Sequence, residues 1–70
     1  MNESVDVMIN GERKQVPAGA TLLAVLAGLE LDPRAVVVEH NRRIVRRGGL
    51  GDVRVTDGDA IELVHFVGGG

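Results

Sequence analysis

Two residues near the start of the chain, Asn10 and Gly11, most constrain how it can fold, because they separate two segments of strand character. Apolar side chains alternate with others over residues 5–9, which is the period of a half-buried strand. An Asn-Gly pair is the strongest short hairpin signal, since a type I′ turn places both central residues at positive φ. Residues 12–16 then return as a polar strand whose charged side chains discourage further pairing. We therefore expect the fold to begin with a β-hairpin.

The chain must build its core from aliphatic side chains. It has 70 residues, no cysteine and a single aromatic residue, Phe66. This length corresponds to one small domain, and the lack of cysteine removes both disulfides and thiolate metal sites. The two histidines are far apart in the sequence, so we expect no bound metal.

The charge balance and the N-terminal sequence exclude several classes of partner. The formal net charge is −2, which gives no long-range attraction to nucleic acid or to an anionic membrane. The first residues lack the basic start and apolar core of a signal peptide. The longest apolar run, residues 22–27, is too short to span a bilayer. We expect a soluble, cytoplasmic protein.

A short amphipathic helix is predicted after the hairpin. Thr21 is a suitable N-cap, and the residues that follow place one apolar stripe at helical spacing: Leu22, Val25, Leu26 and Leu29. Gly28 is costly inside a helix, so it is expected near the C-terminal end. Pro33 cannot continue the helix. A helix of about two turns is too short to be stable alone and must pack on the sheet.

The second half of the chain predicts further short strands. Residues 35–39 contain three consecutive valines, as in a buried strand, and the last strand alternates from Ile61. The remaining expected features are a turn at Asn41-Arg42, a short strand at Arg43–Val45, a loop at residues 48–51, a brief extended piece around Val53 and Val55, and a tight turn at residues 57–59. One helix crossing one face of a small mixed sheet makes the fold class α+β, with the first and last strands side by side.

The chain ends in three glycines, Gly68, Gly69 and Gly70, directly after the last strand. Glycine loses more conformational freedom on ordering than any other residue, so three in a row predict a flexible arm. We expect a folded domain over residues 1–67 and a tail over residues 68–70 that presents the Gly70 carboxylate to another protein. The alternative is a frayed terminus or a linker.

Three segments together resemble the ThiS family, the ubiquitin-like β-grasp sulfur carriers of thiamine (thiazole) biosynthesis. They are residues 16–23 at the helix entry, residues 57–64 at the last turn and strand, and residues 67–70 at the end. The order and spacing of these segments carry the resemblance, which covers essentially the whole chain. The chain departs from the family where Ile44-Val45 is followed by Arg46-Arg47, in place of a proline and an arginine.

The resemblance implies the chemistry of the tail. A partner enzyme of the E1-like type would adenylate the Gly70 carboxylate with ATP, and sulfur from a donor system would replace AMP to leave a thiocarboxylate. Gly68 and Gly69 would form the thin arm that carries this group into the partner. The chain would then be a co-substrate, without a bound cofactor of its own, that delivers sulfur to a thiazole synthase. The same chemistry feeding molybdopterin or another sulfur pathway is an alternative, as is a ubiquitin-like interaction module with an inert tail.

The alternation of the last strand predicts a docking surface. If Ile61, Leu63 and His65 face the helix, the outward residues join one on the first strand to form an apolar patch at the root of the tail, made of Met8, Val64 and Phe66, with Val67 next in the chain. Exposed apolar patches commonly mark partner sites. The alternative is that Phe66, as the one aromatic residue, fills the core.

Other polar clusters have simpler explanations. Four arginines within six residues, Arg42, Arg43, Arg46 and Arg47, lack the interleaved aromatics of a nucleic-acid surface and are expected to form a solvated face or to meet an acidic partner. The loop at residues 48–51 lacks the Lys-Ser/Thr ending of a phosphate loop. His40 and His65 are expected to be structural or exposed, and Asp57 and Asp59 to be turn residues.

Overall fold

The computed structural model describes residues 3–66, which form a five-stranded mixed sheet with one α-helix. Within these residues the strand order is β2-β1-β5-β3-β4, and only the β1–β5 pair is parallel. The elements are β1 (Ser4–Ile9), β2 (Glu12–Pro17), α1 (Leu22–Gly28), β3 (Val36–His40), β4 (Arg43–Val45) and β5 (Ala60–His65), with 3₁₀ turns at Pro33–Ala35 and Arg47–Gly49. The predicted α+β, β-grasp arrangement is confirmed, with β5 as the central strand.

The predicted tail is not part of this description. Its three residues, Gly68, Gly69 and Gly70, lie outside the described residues, as does Val67 before them. The division into a domain over residues 1–67 and a flexible tail therefore stays a prediction from the sequence.

The first hairpin forms as its turn chemistry predicts. Asn10 and Gly11 have φ values of 51° and 84°, as a type I′ turn requires. Directly beside the turn, Ile9 is paired with Glu12, and the antiparallel ladder continues to Ser4 and Pro17. This register directs Val7 and Ile9 into the core.

Helix α1 is short and well capped. The Oγ1 atom of Thr21 accepts a hydrogen bond from the backbone N–H of Ala24 at 3.0 Å, which confirms the N-cap. Gly28 is the last helical residue, and the next turn is closed by Glu30 at a φ of 60°. The helix spans seven residues, and no helix in residues 3–66 is long and apolar enough to cross a membrane.

The core lies between α1 and the inner face of the sheet. It includes two residues from the connection before β5: Leu50, from the segment predicted as a glycine-rich loop, and Val55. The carbonyl of Leu50 accepts a hydrogen bond from the N–H of Leu23 at 3.1 Å, so this connection is fastened to the start of the helix. The buried apolar residues are Val7, Ile9, Leu22, Val25, Leu26, Val36, Val38, Leu50, Val55, Ile61 and Leu63.

The second half of the sheet follows the prediction with one-residue shifts. Strand β3 begins at Val36 because Ala35 closes the preceding 3₁₀ turn, where its N–H donates to the carbonyl of Asp32 at 2.9 Å. The turn at Asn41-Arg42 is confirmed, and β4 has the predicted bounds.

The outward and inward residues of β5 follow the predicted alternation except at its end. Ile61 and Leu63 are buried, whereas His65, which the same alternation would turn toward the helix, is exposed. His65 is paired with Val36 at the last rung of the ladder, whereas β1 is paired with β5 only up to Ile61. This position at the rim of the sheet accounts for the exposure. Phe66 is also exposed, so the alternative in which it fills the core is wrong.

Candidate docking face and tail root

We call Phe66, the residue that follows β5, the tail root. The backbone N–H of Phe66 donates to the carbonyl of Ala35 at 3.0 Å, so the last described residue is still fixed to the residue before β3. Because β5 is the central strand, Phe66 lies beside the middle of the sheet rather than at an outer edge.

An apolar surface surrounds the tail root on the sheet face that α1 leaves uncovered. Val64 is 60% exposed and Phe66 is 59% exposed. Val37, half-buried, is paired with Val64 across the β3–β5 ladder and therefore lies on the same face. We call Val37, Val64 and Phe66 the tail-root patch. Two of its three members were predicted from the sequence.

Met8 lies on the same face but away from this patch. It is 39% exposed and is paired with Ala60 at the start of β5. Val64 is four residues further along β5, which corresponds to about 13 Å in an extended strand. The exposed carboxylate side chain of Glu62 lies between them. The parallel register of β1 and β5 therefore separates Met8 from the patch to which the alternation alone assigned it.

The structure adds Ile44, which was not predicted as a surface residue. It is the most exposed large apolar residue in the described part of the chain, at 68%. Ile44 is paired with Glu39 on β3, so it is a diagonal neighbour of Val37, at about 7–8 Å for such pairs. The alternation of Arg43-Ile44-Val45, with Val45 packed on the core, is the sequence signal that could have identified it.

The opposite end of β5 is occupied by a hydrogen-bonded network around Asp59, which is only 7% exposed. Its Oδ2 accepts from the N–H of Thr56 at 2.8 Å and lies 2.7 Å from Nε2 of His40. Its Oδ1 accepts from Oγ1 of Thr56 at 2.9 Å and from Nδ2 of Asn41 at 3.1 Å. Asp59 and His40 thus join the last turn to the end of β3.

This network determines the charge state of Asp59. Burial by itself raises the pKa of a carboxyl group, but the hydrogen bonds from His40, Thr56 and Asn41 outweigh it and lower the pKa of Asp59 to about 2. Asp57, the other acid of this turn, accepts a hydrogen bond from the N–H of Asp6 at 2.9 Å. Both aspartates therefore have structural roles in the turn, as predicted.

Asn10 marks the boundary between the two ends of β5. Its Oδ1 accepts from the N–H of Leu63 at 2.7 Å, and its Nδ2 donates to the carbonyl of Leu63 at 3.2 Å. The side-chain amide thus replaces a backbone peptide at the place where β1 has already turned into the hairpin. Over the described residues, the β1–β5 ladder does not extend past Ile61.

Two further features bear on ligand binding. A cavity of about 250 Å³ lies between β2 and α1, two strands away from β5. Its walls are mainly apolar and include Val16, Ala24 and Leu29, with Lys14 at its side. Within residues 3–66, no three His, Asp or Glu side chains converge on a metal-sized site. The lining of the cavity does not include Val64 or Phe66, so the cavity is separate from the tail root.

The model of the ThiS family matches residues 7–70 of this chain. The chain belongs to the ThiS family. The match includes the glycine tail as well as the sheet and the helix. Among solved structures, the crystal structure of the ThiS thiamine biosynthesis protein of Geobacter metallireducens superposes with a TM-score of 0.81 at 29% identity, covering 94% of this chain and 100% of that one.

Members of known role agree with this assignment. The sulfur carrier protein ThiS of Bacillus subtilis is 42% identical over 50 residues, which is 71% of this chain and 76% of that protein. The thiazole synthases of Magnetococcus marinus and Paramagnetospirillum magneticum are 45% and 44% identical over 64 residues. The matched segment is 91% of this chain but 20% of each synthase, so the chain spans about a fifth of their length. Each synthase chain thus contains a segment that is similar to this chain.

Proposed function

We propose that this ThiS-family chain is a sulfur carrier of thiamine biosynthesis that works through a thiocarboxylate at Gly70. The observation that carries the proposal is the family match, which extends to Gly70. The similarity to the Bacillus sulfur carrier supports the same role. The carrier is a co-substrate, and catalysis belongs to the proteins that dock on it. Its cytoplasmic location stays a prediction from the sequence.

The chemistry begins with the charge on the carboxyl group. A terminal α-carboxyl has a pKa of about 3.3–3.7, so Gly70 carries a carboxylate at neutral pH. One carboxylate oxygen attacks the α-phosphorus of ATP on an E1-like partner, and pyrophosphate leaves. The acyl-adenylate then has a good leaving group, and a sulfur nucleophile from the donor system replaces AMP. The product is a thiocarboxylate, whose soft sulfur attacks the carbon acceptor on the thiazole synthase.

The architecture suits this division of work. Three extended residues reach about 10–11 Å, which is enough for residues 68–70 to enter a narrow channel while the folded part stays outside. A β-carbon on Gly69 or Gly70 would widen this arm and crowd the reacting carbon. The tail-root patch supplies apolar surface at the mouth of such a channel. The Phe66 hydrogen bond to Ala35 provides a fixed point from which the arm extends.

Thiazole synthase is the acceptor that the relatives favour. Two synthases contain a segment similar to this chain, and proteins that act together are often joined in one chain in other organisms. This supports delivery to thiazole rather than to molybdopterin. In a strain that lacks the gene, added thiazole should restore growth, whereas supply of the molybdopterin pathway should not.

The direct test is on the terminal residue. Gly70→Ala should reduce ATP–pyrophosphate exchange with the E1-like enzyme at least about tenfold, a loss of about 1.4 kcal/mol in transition-state stabilisation, without loss of the fold. Gly48→Ala is the matched control, because a β-carbon at Gly48 has no atom within 4 Å. Intact mass after incubation with the enzyme, ATP and a sulfur donor should show one oxygen replaced by sulfur. Normal exchange by Gly70→Ala would refute the proposal.

A further inference from the structure

Two hairpins of this fold use the same turn geometry with different residues. The β1–β2 turn is Asn10-Gly11, with φ values of 51° and 84°. The β3–β4 turn is Asn41-Arg42, with φ values of 50° and 72°. Positive φ at both positions makes glycine the preferred second residue, and any side chain there is strained. The chain therefore keeps an arginine at a position that glycine would fill without strain, and strain of this kind is a reason to look for function.

Arg42 is one of four arginines that this hairpin exposes together: Arg42, Arg43, Arg46 and Arg47. None of them forms an ion pair within the part of the chain that the structure describes, residues 3–66. Two other arginines are engaged, since Arg34 is paired with Asp32 at 3.1 Å and Arg54 donates to the carbonyl of Gly19 at 2.6 Å. The hairpin thus concentrates uncompensated positive charge on a chain whose net charge is −2.

Ile44 lies in the middle of this charge. It is 68% exposed, on the edge strand β4, with Arg43 directly before it and Arg46 two residues after it. An exposed apolar side chain in an arginine-rich segment is typical of a protein interface, where arginine is enriched and often contributes much of the binding energy. The surface is also continuous with the tail-root patch, because Ile44 is a diagonal neighbour of Val37.

We propose that the segment from Arg42 to Arg47, the arginine hairpin, docks on a protein surface that carries clustered carboxylates around an apolar socket for Ile44. The inference rests on the proposed function, since it takes the partner to be the E1-like enzyme or the thiazole synthase. Charge complementarity fixes the chemistry of the occupant as acidic. A nucleic acid is disfavoured because residues 42–47 include no aromatic side chain for base stacking, and because phosphates offer nothing to Ile44.

The charge test compares opposite edges of the sheet. The triple variant Arg43→Gln, Arg46→Gln, Arg47→Gln removes exposed charges from the arginine hairpin, and Arg13→Gln removes one from β2 at the far edge. Dissociation constants are measured separately with the purified E1-like enzyme and the purified thiazole synthase, at about 50 mM and about 300 mM salt. The triple variant should bind at least one partner about tenfold more weakly at low salt, with a flatter salt dependence, while Arg13→Gln changes binding less than about twofold.

The strain test uses Arg42→Gly. Removal of the side chain from a positive-φ position should leave the thermal midpoint unchanged or raise it, while affinity for the same partner falls. Loss of affinity without loss of stability separates docking from folding, so this result supports the proposal. Unchanged affinity for both partners in Arg42→Gly and in the triple variant overturns it.

The outcomes also separate this inference from the proposed function. If the parent chain acquires the thiocarboxylate and the triple variant binds both enzymes equally well, the docking inference alone fails. If the parent chain binds neither enzyme and acquires no thiocarboxylate, both fail. Binding of a DNA or RNA duplex that the triple variant loses, with enzyme affinities unchanged, would assign the cluster to nucleic acid and overturn the acidic-protein occupant.

Discussion

The two ends of β5 differ in almost every physical respect although six residues span the strand. At the start, Asp59 is buried and accepts four hydrogen bonds from three neighbouring side chains and one backbone N–H. At the finish, Val64 and Phe66 present their apolar side chains to solvent. Asn10 lies at the boundary, where its side-chain amide forms with Leu63 the two hydrogen bonds that a further β1 peptide would otherwise form.

Hydrogen bonds to a buried carboxylate therefore hold one end of β5, whereas the other end presents apolar side chains that are only partly covered. We expect the Asp59 end to contribute more to stability, because it is buried and hydrogen-bonded, and the Phe66 end to contribute more to binding, because it is exposed. The comparison predicts that substitutions at the Asp59 end change stability, and that substitutions at the Phe66 end change binding.

The largest effect should come from Asp59→Ala. The change removes four hydrogen bonds from Thr56, Asn41 and His40 to a carboxylate that is itself buried, which should lower the free energy of unfolding by about 3 kcal/mol. A domain of this size has only about 4–10 kcal/mol in total, so urea midpoints will show the loss clearly. Asp52→Ala, an exposed acid in the same connection, is the control. A loss under about 1 kcal/mol would contradict the assignment of Asp59 as an anchor.

The second effect is a loss of stability in acid. The pKa of Asp59 is lowered from 3.8 to about 2 in the folded chain. The unfolded chain therefore takes up the proton first, and the stabilisation is present above about pH 4 and is lost as the pH falls toward about 2. The contribution is about 2 kcal/mol by linkage. Urea titrations between about pH 5 and about pH 2 measure it, and Asp59→Asn should remove this part of the pH dependence.

A smaller effect is expected at the boundary residue. Asn10→Gly keeps the positive φ but deletes both hydrogen bonds to Leu63, so the free energy of unfolding should fall by about 1–2 kcal/mol. Hydrogen exchange of the Leu63 amide should accelerate more than that of Val38, which is on the other side of β5. Equal acceleration of both amides would indicate that Asn10 acts only through the turn.

The smallest effect on stability should come from the exposed end. Phe66→Ser should change the free energy of unfolding by less than about 1 kcal/mol while it weakens partner binding about tenfold. Leu23→Ser is a matched control, since Leu23 is an exposed apolar residue on α1. If Phe66→Ser destabilises the fold as much as Asn10→Gly does, the Phe66 end contributes to stability as well, and the expected difference between the two ends is wrong.

Local chemistry was sufficient to predict most elements. The Asn10-Gly11 turn, the Thr21 cap and the place of Gly28 at the end of the helix each depend on a preference of one or two residues, and all three were confirmed. The inward positions of Ile61 and Leu63 followed from strand alternation. These features need no knowledge of which strand lies beside which.

The remaining features depend on pairing between distant segments, which alternation does not specify. The β1–β5 register separates Met8 from Val64, and the end of β1 leaves His65 at an exposed rim. The contact between His40 and Asp59 joins residues 19 apart in the sequence. Each of these follows from topology rather than from neighbouring residues.

The core residue Leu50 is a further case of this kind. Its glycine-rich surroundings predict a loop, and the structure places its side chain among the buried residues while its carbonyl is bonded to α1. The contact depends on where the helix lies, which the local sequence does not encode.

The central position of β5 has a consequence for how the chain reaches this fold. Until Ala60–His65 has been made, the β1–β2 and β3–β4 hairpins share no strand, and the sheet is two separate halves. Pairing of β5 with both β1 and β3 is a long-range step of high contact order and should limit the folding rate. We therefore expect the domain to assemble only after β5 has been made, and under the proposed function a partner that recognises the joined sheet would not engage unfinished chains.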